Sequence, residues 1–369
     1  MTEAPNMTRM TPDPTAGLEG VVAATTRLSN VDGQNGVLIL NGKRIEDLAG
    51  KMSFESAIGH LWQDVVGTMP GPVLRQALGE ARLAAFSIVP LLESAPETLS
   101  VYERMQLGLA ALPIMGTRSE AIAICGALPV FLAASRRIAL KLGPIAPDST
   151  LGTASDLLRM LRGERPPKDH SDALDRYLVT ILDHGLNAST FTARVIGSTQ
   201  AGLKQAVLGA MGALSGPLHG GAPGPVLDMI DAIGSPENTE DWISGALARK
   251  ERLMGFGHRI YRTRDPRADV LKAGLRHLGD SSPKVRLAEN IEQAALAALK
   301  KAKPDRPLDT NVEFFTAVLL DAIGIDRSLF TPLFAVGRTP GWCAHVLEQQ
   351  QTGKLIRPAS RYVGPGAGF

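Results

Sequence analysis

Three histidines in this chain of 369 residues lie in glycine-rich or polar stretches rather than in apolar helical runs. His184 belongs to Asp183-His184-Gly185-Leu186-Asn187-Ala188-Ser189-Thr190. His219 is enclosed by Ser215-Gly216-Pro217-Leu218 and Gly220-Gly221-Ala222, and His258 follows Met254-Gly255-Phe256-Gly257. Four arginines come next: Arg259, Arg262, Arg264 and Arg267. A neutral imidazole can hydrogen-bond a carbonyl oxygen as charge develops on it, and glycines let backbone approach a ligand closely. Glu313, in Asp309-Thr310-Asn311-Val312-Glu313-Phe314-Phe315, places a carboxylate among apolar residues at the start of a helix-like segment, where it can act as a base. Arg338, before Thr339-Pro340, and Arg357, in Leu355-Ile356-Arg357-Pro358, add planar donors suited to carboxylates.

Each group has an ordinary structural reading. Asn187 or Ser189 can simply cap the helix-like run Phe191 to Gln200. A histidine in a glycine turn is usually structural, arginines usually coat solvated surface, and a glutamate in a first turn usually offsets the helix dipole. None of the histidines shows the short ligand spacing of a zinc site, so no metal is expected.

The elements that must position these groups read as helices. Apolar residues recur at three-to-four spacing in Phe54-Ile58-Leu61-Trp62-Val65 and Leu203-Val207-Leu208-Met211. Ser53 is placed to cap the first, and Thr339-Pro340 predicts a helix start for Gly341 to Gln351, ending at Gly353. The fold class is all-α, with a minor β element near residues 37–45, where Val37-Leu38-Ile39-Leu40 precedes the hairpin dipeptide Asn41-Gly42. Glycine and proline cluster at Ser215–Pro225, Gly255–Pro266, Lys303–Pro307 and Gly337–Gly341, which predicts inter-helix loops beside every reactive group.

Composition narrows the function classes. Near-balanced charge, +2 over 39 basic and 37 acidic residues, offers no electrostatic case for nucleic acid. Two cysteines, Cys125 and Cys343, form no disulfide framework or CxxC pair, so a reducing, cytoplasmic location is the default expectation. The longest apolar run, Ala121 to Ala134, is interrupted by Gly126 and Pro129 and falls short of the roughly 20 residues of a membrane span. Residues 1–16 have neither a basic start nor an apolar stretch, and a flexible N-terminus is expected there.

Taken together and in this order, the clusters resemble the citrate synthase family, from Gly17-Leu18-Glu19-Gly20-Val21 to Arg357-Pro358. The motifs specific to it are Pro217-Leu218-His219-Gly220-Gly221 and Gly255-Phe256-Gly257-His258 with Arg267 nine residues later. The compact bacterial and archaeal branch, which includes 2-methylcitrate synthases, is the most similar. The resemblance implies a two-domain helical fold, with a large domain at 17–221 and 319–369 and a smaller inserted domain at 222–318. It implies condensation of acetyl-CoA with oxaloacetate, the coenzyme A thioester being a substrate and no cofactor being permanently bound. Glu313 would be the base, His219 the donor to the thioester oxygen and His258 the donor to the keto oxygen. His184, Arg267, Arg338 and Arg357 would bind the dicarboxylate, Arg357 coming from the other subunit of a homodimer. Gly255, Phe256 and Gly257 would lie against the nucleotide, with Arg262 near a phosphate.

Three departures stand out. Glu313 occupies a position where aspartate is commonest, and its extra methylene must be accommodated by the backbone. Pro223-Gly224-Pro225 replaces a more usual Asn and acidic residue, and Leu40-Asn41-Gly42-Lys43-Arg44 replaces a Tyr-Arg-Gly pattern. Propionyl-CoA in place of acetyl-CoA requires the same polar residues, and a catalytically silent CoA-binding paralogue is the reading that the Glu313 substitution alone would favour.

Overall fold

The computed structural model describes residues 17–360 and 362, apart from 19, 114–115, 221–222, 279–282, 306–307 and the side chains of 223 and 352. The flexible terminus expected at 1–16 and the boundary expected at 221–222 lie outside the described residues. The chain opens with a small antiparallel sheet, β1 (Ser29–Asp32), β2 (Val37–Leu40) and β3 (Lys43–Arg44), in that order. Helices follow: α1 (Ile45–Leu48), α2 (Phe54–Trp62), α3 (Gly71–Phe86), α4 (Val89–Ser94), α5 (Val101–Ala111) and α6 (Thr117–Ala139). Next come α7 (Thr153–Arg162), α8 (Lys168–Thr180), α9 (Ala188–Ser198), α10 (Leu203–Leu214) and α11 (Pro223–Ile233). The remainder are α12 (Thr239–Ala248), α13 (Pro266–His277), α14 (Pro283–Ala302), α15 (Val312–Ala322) and α16 (Phe330–Thr352).

The local signals act as expected. Asn41 and Gly42 both have positive φ, 43° and 83°, the pair of left-handed conformations that a two-residue hairpin needs between β2 and β3. Strand β1 was not foreseen; its residues Ser29-Asn30-Val31-Asp32 are too polar to read as a strand, and pairing with β2 creates it. Ser53 caps α2, its hydroxyl accepting from the Ser56 N–H at 3.2 Å.

Two helices overrun their prolines. The start expected at Pro340 is corrected: α16 runs through it from Phe330, placing Arg338 in a helix interior. An internal proline costs about 3 kcal/mol, which burial along nearly the whole helix offsets. The Thr339 hydroxyl donates to the Ala335 carbonyl at 2.7 Å and Trp62 Nε1–H to the Pro340 carbonyl at 2.9 Å. Likewise α6 continues through Pro129 for 23 residues, long and apolar enough to cross a membrane, but 72% of its most apolar window is buried within the protein. It packs against α3, α5, α7 and α16 as the central helix of the core.

Arg82 of α3 is fully buried and ion-paired to Asp156 of α7 at 2.8 Å, with further bonds to Thr153 Oγ1 and the Leu151 carbonyl. Removing one member of such a pair leaves the other charge stranded without water. Arg82→Ala is therefore expected to lower unfolding free energy by about 3–5 kcal/mol, read from denaturant midpoints, with activity per folded molecule unchanged.

Candidate active site

The entry to α9 builds the first half of the site. Asn187 is its N-cap, accepting from the Thr190 N–H at 3.1 Å, so the capping reading of this stretch is correct for Asn187. Ser189, one residue into the helix, turns to His219: its N–H reaches Nε2 at 3.3 Å and its Oγ lies 2.8 Å from the same atom. Trp342 Nε1–H donates to that Oγ at 3.2 Å. Because a backbone N–H can only donate, Nε2 is the acceptor and a neutral His219 carries its proton on Nδ1. Burial, then the Arg338 and Arg259 charges, bring its pKa down to about 4, so the ring is a neutral donor at pH 7.

The loop before α13 builds the second half. His258 Nδ1 accepts from the Ile260 and Tyr261 N–H groups at 3.0 and 3.1 Å, which leaves its proton on Nε2. Burial, then Arg267, lower this ring to about 4 as well. Arg267 Nη2 lies 3.5 Å from Nε2, so two donors converge on one point, where an oxygen acceptor would satisfy both. His184 stands edge-on to His258 with ring centroids 5.7 Å apart, and its Nε2 is 3.1 Å from the Tyr261 hydroxyl. Burial and the neighbouring Arg267 hold its pKa well below the usual histidine range.

Asp265 ties this half together. It caps α13 through the Arg267 N–H, pairs with the Arg267 guanidinium at 2.8 Å and accepts from Val312 N–H at 3.2 Å, at the start of α15. Asn311 caps α15 by accepting from Glu313 N–H at 3.0 Å, and Glu313 sits in the first turn, partly buried. Its carboxylate makes no hydrogen bond among the described residues. Burial raises its pKa to about 7, against the opposing pull of Arg267 and Arg338. Arg338 is itself buried, with its Nε bonded to the Ile181 carbonyl at 2.5 Å. It lies within electrostatic reach of His184, His219, Glu313 and Arg267, and burial lowers its pKa to about 10.

His184, His258, Arg267, Arg338 and Glu313 are thus brought into one neighbourhood, with His219 joined to it through the field of Arg338. Arg357 is not. It is exposed, and its neighbour Ile356 bonds through N–H to Ser198 at the far end of α9 from Ser189. That helix of 11 residues is about 16 Å long. Phe256, expected against the nucleotide, has its ring buried against Phe314 with centroids 5.2 Å apart, so only its backbone is placed to meet a ligand. The Gly257 N–H and the Gly255 and Gly257 carbonyls are bonded to residues 309 and 311, which leaves the Gly255 and Phe256 N–H groups without a partner among the described residues. Arg262 is exposed, so its guanidinium remains accessible.

Sequence reading overlooked the residues that orient the site. Ser189, Tyr261 and Asp265 act through the histidines and Arg267 just described. Behind His184, Asp183 accepts from the Ser29 hydroxyl and from His345 Nε2 at 3.2 Å. His345 Nδ1 in turn accepts from Arg194, which is ion-paired to Glu348 at 2.7 Å. Of these, Asp265-Pro266 carried a usable signal, since an acidic N-cap followed by proline marks a helix start. Among the described residues no group of three or more His, Cys, Asp or Glu is placed to hold a metal ion.

A family model described as "Citrate synthase, C-terminal domain" matches residues 17–359. The chain belongs to the citrate synthase family. It is 40% identical to "Putative citrate synthase 2" of Mycobacterium tuberculosis, over 95% of this chain and 93% of that protein. It is 37% identical to the 2-methylcitrate synthase of the same organism, over 96% and 91%. The Thermoplasma acidophilum citrate synthase, solved as a ternary complex with carboxymethyl coenzyme A and oxaloacetate, superposes with a TM-score of 0.85 at 26% identity, over 97% of this chain and 98% of that one. The all-α architecture is the two-domain fold of this family.

The elevated Glu313 pKa has a measurable consequence for stability. An unfolded glutamate releases its proton near 4.5, whereas Glu313 in the folded chain retains it to about 7. Its stabilising contribution is therefore complete below about 4.5 and is lost as pH rises through about 7. Glu313→Gln, which stays neutral, is expected to gain stability relative to the parent between pH 5 and 8, measured by denaturant unfolding at each pH.

Proposed function

We propose that this enzyme of the citrate synthase type condenses an acyl-CoA thioester with oxaloacetate, acetyl-CoA being the acyl donor, and hydrolyses the resulting thioester to citrate and free coenzyme A. The observation that carries this reading is the pair of histidines held neutral in opposite tautomers, one presenting Nδ1–H and the other Nε2–H beside a paired guanidinium.

Glu313 takes a proton from the acyl α-carbon. Such a proton is far less acidic than any carboxyl, so the enolate must be met by a donor already in place, and His219 Nδ1–H supplies it to the thioester oxygen. A carboxyl with a pKa near 7 is a stronger base than an ordinary glutamate. His258 Nε2–H bonds the keto oxygen of oxaloacetate, drawing electron density from the carbonyl carbon that the enol attacks. The new carbon–carbon bond leaves an alkoxide that takes its proton from His258. Water then cleaves the thioester: one of its protons restores His258 as the hydroxide adds to the carbonyl carbon, the carbon–sulfur bond breaks, and the thiolate leaves with the proton that Glu313 took from the α-carbon.

Arg267, Arg338 and His184 bind the two carboxylates, with Arg357 contributed by a second copy of the chain. The distance between Arg357 and its own site supports a role across a dimer. Residues 222–318 are proposed as a smaller unit whose closure brings His258 and Glu313 onto His219 and excludes water. Coenzyme A would run along the 255–262 loop, with the Phe256 amide and Arg262 as contacts.

A propionyl donor differs by one methylene, worth roughly 1–3 kcal/mol of discrimination, and the 2-methylcitrate synthase relative keeps that second reading in view. Thiol release with oxaloacetate is expected at higher kcat/KM from acetyl-CoA than from propionyl-CoA; the reverse order would assign the 2-methylcitrate reaction, and no release from either would overturn condensation. His258→Ala should abolish condensation without unfolding the chain, and Glu313→Gln should stop exchange of the acyl α-protons; retained exchange would remove Glu313 from the base role. For the parent, kcat/KM should rise with pH to a plateau above about 7 as Glu313 ionises, with both histidines neutral from about 4 upward.

A further inference from the structure

The two histidine loops of the oxaloacetate half are far apart in sequence, yet one short strand touches both. At the start of β1 the Ser29 hydroxyl donates to the Asp183 carboxylate and receives the Gly185 N–H at 3.0 Å, so it holds the residues on either side of His184, one by its side chain and the other by its backbone. Two residues on, Val31 packs against Gly185, whose added Cβ would meet it at 3.4 Å. At the other end, the Gly33 carbonyl accepts from Arg262 N–H at 2.8 Å. A Cβ on Gly33 would stand 2.3 Å from the Ile260 carbonyl oxygen, and one on Gly36 would stand 2.9 Å from that of Arg264. From Ser29 to Gly33 an extended strand covers about 13 Å.

The far contact matters because residues 260–262 orient His258. The N–H groups of Ile260 and Tyr261 both donate to His258 Nδ1, and the Tyr261 hydroxyl meets His184 Nε2. The Gly33 carbonyl holds the next N–H in the row. The hairpin itself is anchored: Leu38 and Leu40 of β2 are fully buried, and the Leu40 carbonyl bonds His60 of α2 at 3.1 Å.

We infer that the β1–β2 hairpin is the positioning element that sets His184 and His258 relative to each other, Ser29 and Gly33 being its two points of contact. This rests on the assignment of both histidines to oxaloacetate. Glycine is required at position 33 for close approach, since any side chain there drives the hairpin and the 260–262 loop apart.

The test uses the full chain. Gly33→Ala is expected to weaken oxaloacetate binding at least tenfold by calorimetry. In the NMR spectrum of 15N-histidine-labelled protein, it is expected to replace the single Nε2–H tautomer signature of His258 by a mixture; His258→Gln identifies that signal among the seven histidines. Gln34→Ala, an exposed position beside Gly33 in the same turn, should keep affinity within twofold. Parent affinity and an unchanged tautomer in Gly33→Ala would overturn the proposal. Should that variant not fold, Ser29→Ala decides: it only removes a hydroxyl, a loss of threefold or more supports the role, and parent affinity refutes it. Absence of oxaloacetate binding in the parent would instead overturn the functional reading and leave the tautomer comparison to decide the role of the hairpin.

Discussion

The carboxylate of Asp265 is the point on which this site depends. Buried at the junction of two helix starts, it caps α13, accepts from the first residue of α15 and neutralises Arg267. One charge thereby fixes the distance between the guanidinium that faces His258 and the helix turn that carries Glu313. A buried arginine without such a partner would be costly, and two helix N-termini pointing at one place would leave N–H groups unsatisfied. Asp265 answers both requirements.

Desolvation then sets the chemistry. Both donor histidines are held neutral because burial and adjacent guanidinium groups oppose a further positive charge. The same burial works in the opposite sense on Glu313, raising a carboxyl toward the pH at which it must exchange a proton. Arg267 and Arg338 would otherwise pull that carboxyl back to an ordinary acid, so the balance between low dielectric and nearby cations defines the base. Tautomer adds direction: backbone amides occupy Nε2 of His219 and Nδ1 of His258, so each ring offers one defined N–H.

The supporting contacts come from parts of the chain remote in sequence. Trp342 reaches Ser189, His345 reaches Asp183, and Thr331 holds the Gly220 carbonyl at 2.6 Å beside His219. All three lie on α16, which also carries Arg338. Continuity of that helix through Pro340 is what allows one rigid element to serve three loops, and a break at the proline would have separated Arg338 from Trp342 and His345.

Local signals in the sequence were sufficient for the helical class, the Asn41-Gly42 turn, the caps at Ser53 and Asn187, and the residue types able to perform an enolisation and a condensation. These are decided within a few residues, by periodicity, by side-chain reach to the nearest N–H and by the conformations that glycine and asparagine tolerate. Tertiary structure decided the rest. Whether Pro129 and Pro340 ended their helices depended on burial against other helices. The polar stretch Ser29–Asp32 became a strand only through β2, Phe256 was drawn into the core by Phe314, and the tautomer of each histidine followed from an amide that folding placed beside it. Burial, pairing and proton position are properties of the neighbours a residue acquires; for Phe256, His219 and Pro340 those neighbours lie tens to hundreds of positions away along the chain, and even the amides two and three residues past His258 meet its ring only in the folded loop.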